Sequence, residues 1–217
     1  MRIAIAGGHG KIALQTTKLL SASGHEVVGI VRNPDHAGDV EAAGGEALVF
    51  DLEASDSEAL AHELSQREID AVVFAAGAGP GSSADRKLTV DRDGAILLAD
   101  AAWRADVKRY VLVSAMSADD YDPTSDDVFQ VYLRAKSEAD AAVRASELDW
   151  TIVRPGGLTD EPATGLVTLA ASTGRGTIPR ADVAWIVATL LTTDAAVRAQ
   201  FEAISGSTPI AEALRDL

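Results

Sequence analysis

The sequence predicts an α/β protein built on a doubly wound, mostly parallel sheet. Three observations predict it. Short apolar runs alternate with amphipathic segments through the first 154 residues. The runs are apolar almost throughout, as strands covered on both faces are. The first run, Ile3-Ala4-Ile5-Ala6, passes directly into Gly7-Gly8-His9-Gly10 and then into a helical pattern. Repeated strand-to-helix units with short joins give a Rossmann-like sheet of order 3-2-1-4-5-6. Right-handed crossovers then place any ligand at the carboxyl ends of the strands.

The elements follow in order. Residues 2–6 form the first strand and residues 11–23 the first helix, which Gly24 closes. The second strand is predicted at 25–32, a helix at 34–43, and a third strand at 46–50. Ser55, with Glu58 three residues on, reads as the N-cap of a helix at 55–66. A fourth strand at 70–75 leads into a Gly- and Ser-rich turn at 77–83, and a long helix runs over 85–104. Residues 108–114 are the fifth strand. The acidic, turn-rich stretch 115–127 reads as a mobile surface loop. A helix at 128–147 and a strand at 150–154 complete the repeat, which Pro155-Gly156-Gly157 interrupts. Beyond it the rhythm loosens: a short strand near 165–171, a helix at 181–191, a strand at 200–204 and a final helix at 209–217. The layout is one domain of 217 residues, with a core over 1–154 and a small C-terminal lobe over 155–217.

Composition narrows the function. The chain is 47% hydrophobic but only 5% aromatic, so its core is mostly aliphatic. A formal charge of −14 argues against nucleic acid and anionic membrane surfaces as partners, since both attract clustered Lys and Arg. No cysteine is present, which removes thiolate chemistry and zinc–thiolate sites. His25, His36 and His62 are scattered without metal-ligand spacing, so no metal is expected. Trp103, Trp150 and Trp185 fit core positions. No leader-like or membrane-length apolar stretch is seen, and a soluble cytoplasmic protein is expected.

The opening turn carries the first functional signal. Gly7, Gly10 and Ala13 make a G-x-x-G-x-x-A relative of the dinucleotide fingerprint. Glycines allow the tight bend and close approach, Ala13 allows close helix packing, and a pyrophosphate rests on the helix N-terminus. Gly7, Gly8, His9, Gly10, Lys11 and Ile12 are therefore candidate cofactor residues. At the end of the second strand, Arg32 replaces the acidic residue that would select an unphosphorylated ribose. Its guanidinium suits a 2'-phosphate, which favours NADP(H), NADPH above NADH; a solvent-facing strand-end arginine is the alternative. Asp51-Leu52, past the third strand, lies where an adenine edge would be met, with Asp51 a ligand for the amino group or a helix cap. Ala75-Ala76-Gly77, past the fourth, offers small residues for close passage of a cofactor.

Tyr132 and Lys136 are four apart on a predicted helix and so share a face. An ammonium near a phenol lowers the phenol's pKa and readies it for proton transfer. Ser114, at the end of the fifth strand, is placed to hold a substrate oxygen. Arg180 and Asp182 begin a helix, and capping is the favoured reading of both.

Taken together these residues resemble the short-chain dehydrogenase/reductase superfamily. The likeness is greatest to its atypical NAD(P)-binding members, the NmrA-like and epimerase/dehydratase-related group. It also takes in Arg154-Pro155-Gly156-Gly157-Leu158 and Arg180-Ala181-Asp182-Val183-Ala184. The resemblance implies that Pro155, Gly156, Gly157 and Leu158 pass the nicotinamide end of the cofactor. It also implies that Lys136 binds the nicotinamide ribose and that Ser114, Tyr132 and Lys136 form the catalytic set. One departure is marked: Asp91-Arg92-Asp93-Gly94 stands where the family's N-x-x-G places an Asn, so Asp91 takes that position. Near Lys136 its carboxylate would keep the ammonium charged and partly cancel its effect on Tyr132. The implied activity is an NADPH-dependent oxidoreductase acting on a small carbonyl or quinone-like molecule, as monomer or homodimer. The alternatives are a non-catalytic, redox-sensing NADP(H) regulator and a nucleotide-sugar epimerase or dehydratase.

Overall fold

A computed structural model describes residues 1–79 and 81–217. Nine strands form one sheet, in the order β11-β8-β10-β6-β5-β4-β1-β2-β3. Its first six strands are β1 (Arg2–Ala6), β2 (Glu26–Val31), β3 (Glu46–Val49), β4 (Ala71–Phe74), β5 (Arg109–Val113) and β6 (Asp149–Pro155). They are mutually parallel and run in the predicted order 3-2-1-4-5-6. β10 (Ala199–Ser205) joins β6 in parallel; β8 (Leu166–Ala170) and β11 (Thr208–Pro209) continue the sheet in antiparallel sense. β7 (Gly157–Thr159) and β9 (Thr177–Pro179) make a separate two-stranded ribbon. No periodicity announces strands of three residues, and neither is anticipated by the sequence reading.

Alternation along each strand divides the core in two. Ala4, Ala6, Val72, Phe74 and Leu112 face α3 (Ser57–Gln66), α5 (Gly94–Arg104) and α6 (Val128–Arg144), packing on Leu60, Leu64, Leu98 and Val143. Ile3, Ile5, Val73, Val111 and Val153 face the other way. They pack on α1 (Lys11–Ala22), α7 (Arg180–Thr192) and α8 (Ile210–Arg215) through Ala13, Leu20, Val183, Ile186 and Leu214. The segment after residue 155 thus adds both strands and helices to the same sheet. Burial of each Val, Leu, Ile or Phe side chain among them contributes roughly 1.5–3 kcal/mol.

Several local readings differ from the structure. The N-cap of α3 is Asp56, whose Oδ1 accepts from the Ala59 amide at 2.8 Å; Ser55 lies outside the cap. Both residue types cap helices, and adjacent ones cannot be separated by spacing alone. Trp150 is buried, but Trp103 and Trp185 are about half exposed, contrary to their predicted core positions. Stretch 115–127 is anchored: Ala118 is buried, and Asp119 accepts hydrogen bonds from Arg154 and Ser137. The turn at 77–83 includes residue 80, which lies outside the described residues. Among the described residues no helix is long and apolar enough to cross a membrane.

The long helix is not uniform. α4 (Ala84–Arg86) runs into a π-helical stretch at Lys87–Asp93 and then into α5. π segments are uncommon and concentrate at functional sites. Here the stretch lets Arg86 and Val90 face one cleft while Lys87 and Asp91 face α6.

Candidate dinucleotide site

A cleft of about 290 Å³ opens at the carboxyl ends of β1 to β4. Gly7, His9 and Gly10 line it from the first turn, and Arg32 and Asn33 from the end of β2. Asp51, Leu52 and Glu53 line it from beyond β3, and Ala75, Ala76 and Gly77 from beyond β4. The predicted adenosine-side residues are thus brought to one place. The volume suits a nucleoside and sits at the low end for small-ligand pockets.

The first turn has the features of a phosphate cradle. Gly7 has φ +81°, and a Cβ there would lie 2.5 Å from the Ala76 main chain. Only glycine fits both conditions. Gly8 rests on Gly29 of β2, where a Cβ would come within 2.7 Å, and its amide donates to the Ile30 carbonyl. Gly8 therefore serves packing and is not itself a cleft residue. Gly10 donates to Gly7 O at 2.8 Å and caps α1 without any side-chain acceptor. At a helix N-terminus the first-turn amides, here including those of Lys11 and Ile12, lack intrahelical acceptors and favour an anion. This arrangement fits a dinucleotide pyrophosphate. The Lys11 side chain turns elsewhere, to Asp160 at 2.6 Å, and Asp160 also takes Arg180 at 2.8 Å. His9 stacks on His36, with ring centres 3.6 Å apart, and pairs with Asp39.

Asp51 accepts the Glu53 amide at 2.9 Å, bracing its own turn, and does not cap α3. Arg32 is not simply solvated: its Nη1 donates to Glu53 at 2.8 Å. Asp182 does not cap its helix. It is fully buried and accepts from the amides of Thr164 and Gly165, fixing the loop before β8.

The second cluster lies beyond the cleft. Lys136 Nζ sits 3.3 Å from Asp91 Oδ1, both side chains being almost wholly buried, and it also donates to the Val113 carbonyl. Asp91 holds the loop after β4 too, accepting from the Ala78 amide at 3.1 Å. Burial would depress the Lys136 pKa, but Asp91, Tyr132 and Asp140 together outweigh it and raise the net value. Lys136 lies 5.8 Å from the Tyr132 ring centre, and Lys87 lies 5.5 Å from it. Burial dominates the Tyr132 phenol and pushes its pKa up; Lys136 pulls it down, while Asp91 and Asp140 add to the rise. The net effect opposes the lowering that Y-x-x-x-K spacing implies, because two carboxylates and desolvation outweigh one ammonium.

Ser114 and Tyr132 are not joined by a hydrogen bond. Ser114 Oγ instead donates to Asp140 Oδ2 at 2.9 Å. The same oxygen accepts from Arg154 Nε at 2.8 Å and lies in ion-pair contact with Nη2 at 2.7 Å, while Nη2 donates to Asp119. Asp140 is fully buried, and its Oδ1 has no hydrogen-bond partner among the described residues. Desolvation raises its pKa against the pull of Arg154 and Ser114. The sequence reading missed Asp140 and the role of Arg154. The available signal was spacing: Tyr132, Lys136 and Asp140 recur every four residues on α6. Pro155, Gly156, Gly157 and Leu158 lie outside the nucleoside cleft. Gly156 is enforced by Gly176, whose carbonyl would lie 2.4 Å from a Cβ.

Fold and cleft together define a dinucleotide-binding α/β protein. The profile of the NAD(P)H-binding family matches residues 7–194, and the chain belongs to that family. An uncharacterized sugar epimerase of Bacillus subtilis, YhfK, is 37% identical, with complete coverage of both chains. The protein YMR090W of Saccharomyces cerevisiae is 34% identical over all of this chain and 99% of its own. Among solved structures, a "Putative NAD-dependent epimerase/dehydratase" from Bacillus halodurans superposes with a TM-score of 0.90 at 37% identity, covering 100% of both chains. The oxidoreductase ylbE of Lactococcus lactis gives 0.86 at 29% identity, covering 100% of this chain and 96% of its own.

Proposed function

We propose that the protein is an NADPH-dependent reductase of a small carbonyl or quinone-like substrate. The observation that carries this reading is the pairing of Tyr132 with Lys136 on one face of α6, beyond the open end of a nucleoside cleft. NADPH, when bound, supplies a hydride. Tyr132 supplies the proton: burial keeps its phenol neutral at physiological pH, which is the form that can donate. Lys136, held charged by Asp91, stabilises the phenolate left behind. Ser114 has its one proton committed to Asp140, so polarising the substrate oxygen falls to Tyr132. Arg32, at the rim of the cleft, is the residue for the 2'-phosphate.

The test is NADPH oxidation against a panel of quinones, aldehydes and ketones, with Tyr132→Phe alongside. Loss of a general acid lowers kcat by about 100-fold or more while leaving NADPH binding intact. Equal rates in the two proteins remove Tyr132 from the mechanism. A second reading, an NADP(H)-binding regulator without turnover, draws support from the burial of Ser114, Asp91 and Lys136, each at most 4% exposed. Tight NADPH binding with no oxidation across the panel would select it. The epimerase reading rests on the names of relatives such as YhfK, and isomerisation of a nucleotide-sugar with the coenzyme regenerated is its signature.

A further inference from the structure

We infer that Glu53 and Arg86, with Arg32, form the device that sets coenzyme choice, Glu53 acting as a built-in competitor for the ribose 2'-phosphate. This rests on the NADP(H) reading and extends it to residues that the nucleotide fingerprint does not contain.

The three side chains come from three elements. Arg32 ends β2, Glu53 follows β3, and Arg86 ends α4, yet all line the nucleoside cleft. A single oxygen of Glu53 accepts from Arg32 Nη1 and from Arg86 Nη2, each at 2.8 Å. Its other oxygen accepts from Thr89 Oγ1 at 2.6 Å. Among the described residues neither arginine pairs with another carboxylate. In a chain of net charge −14, two guanidiniums converging on one anion at a cleft rim mark an anion site. A guanidinium has five donors, and Glu53 engages one from each arginine, so the forks can take a phosphate group.

The charges set the direction of the effect. Two arginines and one carboxylate leave the site at +1. A monoester phosphate brings about two negative charges and competes with Glu53 for the same donors. Burial would push the Glu53 pKa up, but hydrogen bonds from Arg86 and Thr89 outweigh it and the carboxyl stays ionised. The competition is therefore present throughout the neutral range. For an unphosphorylated ribose the same carboxylate is an acceptor for hydroxyl groups. Glu53 thus restrains a preference that Arg32 and Arg86 together create.

The experiment is calorimetric titration with NADPH and NADH, and with adenosine 2',5'-bisphosphate and adenosine 5'-monophosphate as fragments. Glu53→Gln keeps the shape and removes the charge. It is expected to tighten NADPH and the bisphosphate by roughly tenfold, the effect of removing one nearby like charge, without tightening NADH or the monophosphate. Arg86→Met is expected to weaken NADPH and the bisphosphate by about tenfold or more and to leave NADH and the monophosphate unchanged. If Arg32→Ala abolishes the NADPH preference while Glu53→Gln and Arg86→Met leave the NADPH-to-NADH ratio at the parent value, this inference is overturned and the NADP(H) reading stands. Weaker NADPH binding by Glu53→Gln also overturns it, because Glu53 then positions the arginines and does not compete. If all three variants leave the ratio unchanged, both readings fall.

Discussion

The Lys136–Asp91 pair offers a direct measure of how the second cluster is held. Both side chains are almost wholly excluded from water, 3.3 Å apart. Their gross attraction is about 5 kcal/mol at an effective dielectric of about 20, set against the cost of desolvating both. Lys136→Met removes one partner and leaves the Asp91 carboxylate buried, with the Ala78 amide as its remaining hydrogen bond. The expected loss is about 3–5 kcal/mol, a fall in Tm of roughly 10 °C for a domain of this size. Adding Asp91→Asn to that variant removes the stranded charge and recovers at least about 2 kcal/mol. The assay is urea unfolding at neutral pH, with m-values checked for constancy. The raised Lys136 pKa adds a pH signature. Its contribution is complete below about 10.5, the unfolded value, and fades as pH rises through the higher folded value. Lys136→Met within about 1 kcal/mol of the parent, or a double variant no more stable than Lys136→Met alone, would refute the reasoning.

Two further outcomes are expected. Gly7→Ala forces a Cβ to within 2.5 Å of the Ala76 main chain at a positive φ; it should cost about 2 kcal/mol or more and abolish the calorimetric signal with NADPH, and retention of parental affinity would remove the first turn from the site. Arg154→Met strands the buried Asp140 carboxylate and should cost about 3–5 kcal/mol, whereas Asp119→Asn, at the exposed end of the same chain of contacts, should cost far less. Because Arg154 holds the Asp119 pKa down, that pair's contribution is present above about pH 4 and lost as pH falls through the depressed value, so Asp119→Asn should flatten acid unfolding in that window.

The parts of the fold written in local pattern were legible. β1 and the turn into α1 were read with their true limits, because an apolar run, two glycines and an amphipathic helix are all short-range signals. Much of the cleft followed, since most of its lining comes from residues just past β1 to β4, but its wall at Arg86 and Val90 comes from the long helix and did not. What local pattern does not encode was lost. Glu53 and Arg86 are 33 positions apart and meet through tertiary packing. Asp140 lies on an amphipathic helix, where a carboxylate ordinarily faces water, and its burial depends on Arg154 arriving from β6. Tyr132 was read from one neighbour, Lys136. Its acidity is set first by burial, against Lys136, and then by two carboxylates, one of them on a different helix.

The wide turn at Lys87–Asp93 has a consequence for how this protein can change. It offsets the rotational phase of the helix on either side of it. Removing one residue there would swivel the upstream end by about 100°. Arg86 would leave the nucleoside rim and Lys87 would leave the tyrosine ring, while the buried stripe of α5 kept its seat. A one-codon loss or gain at this point would therefore reshape the cleft rim and the surroundings of Tyr132 in a single step.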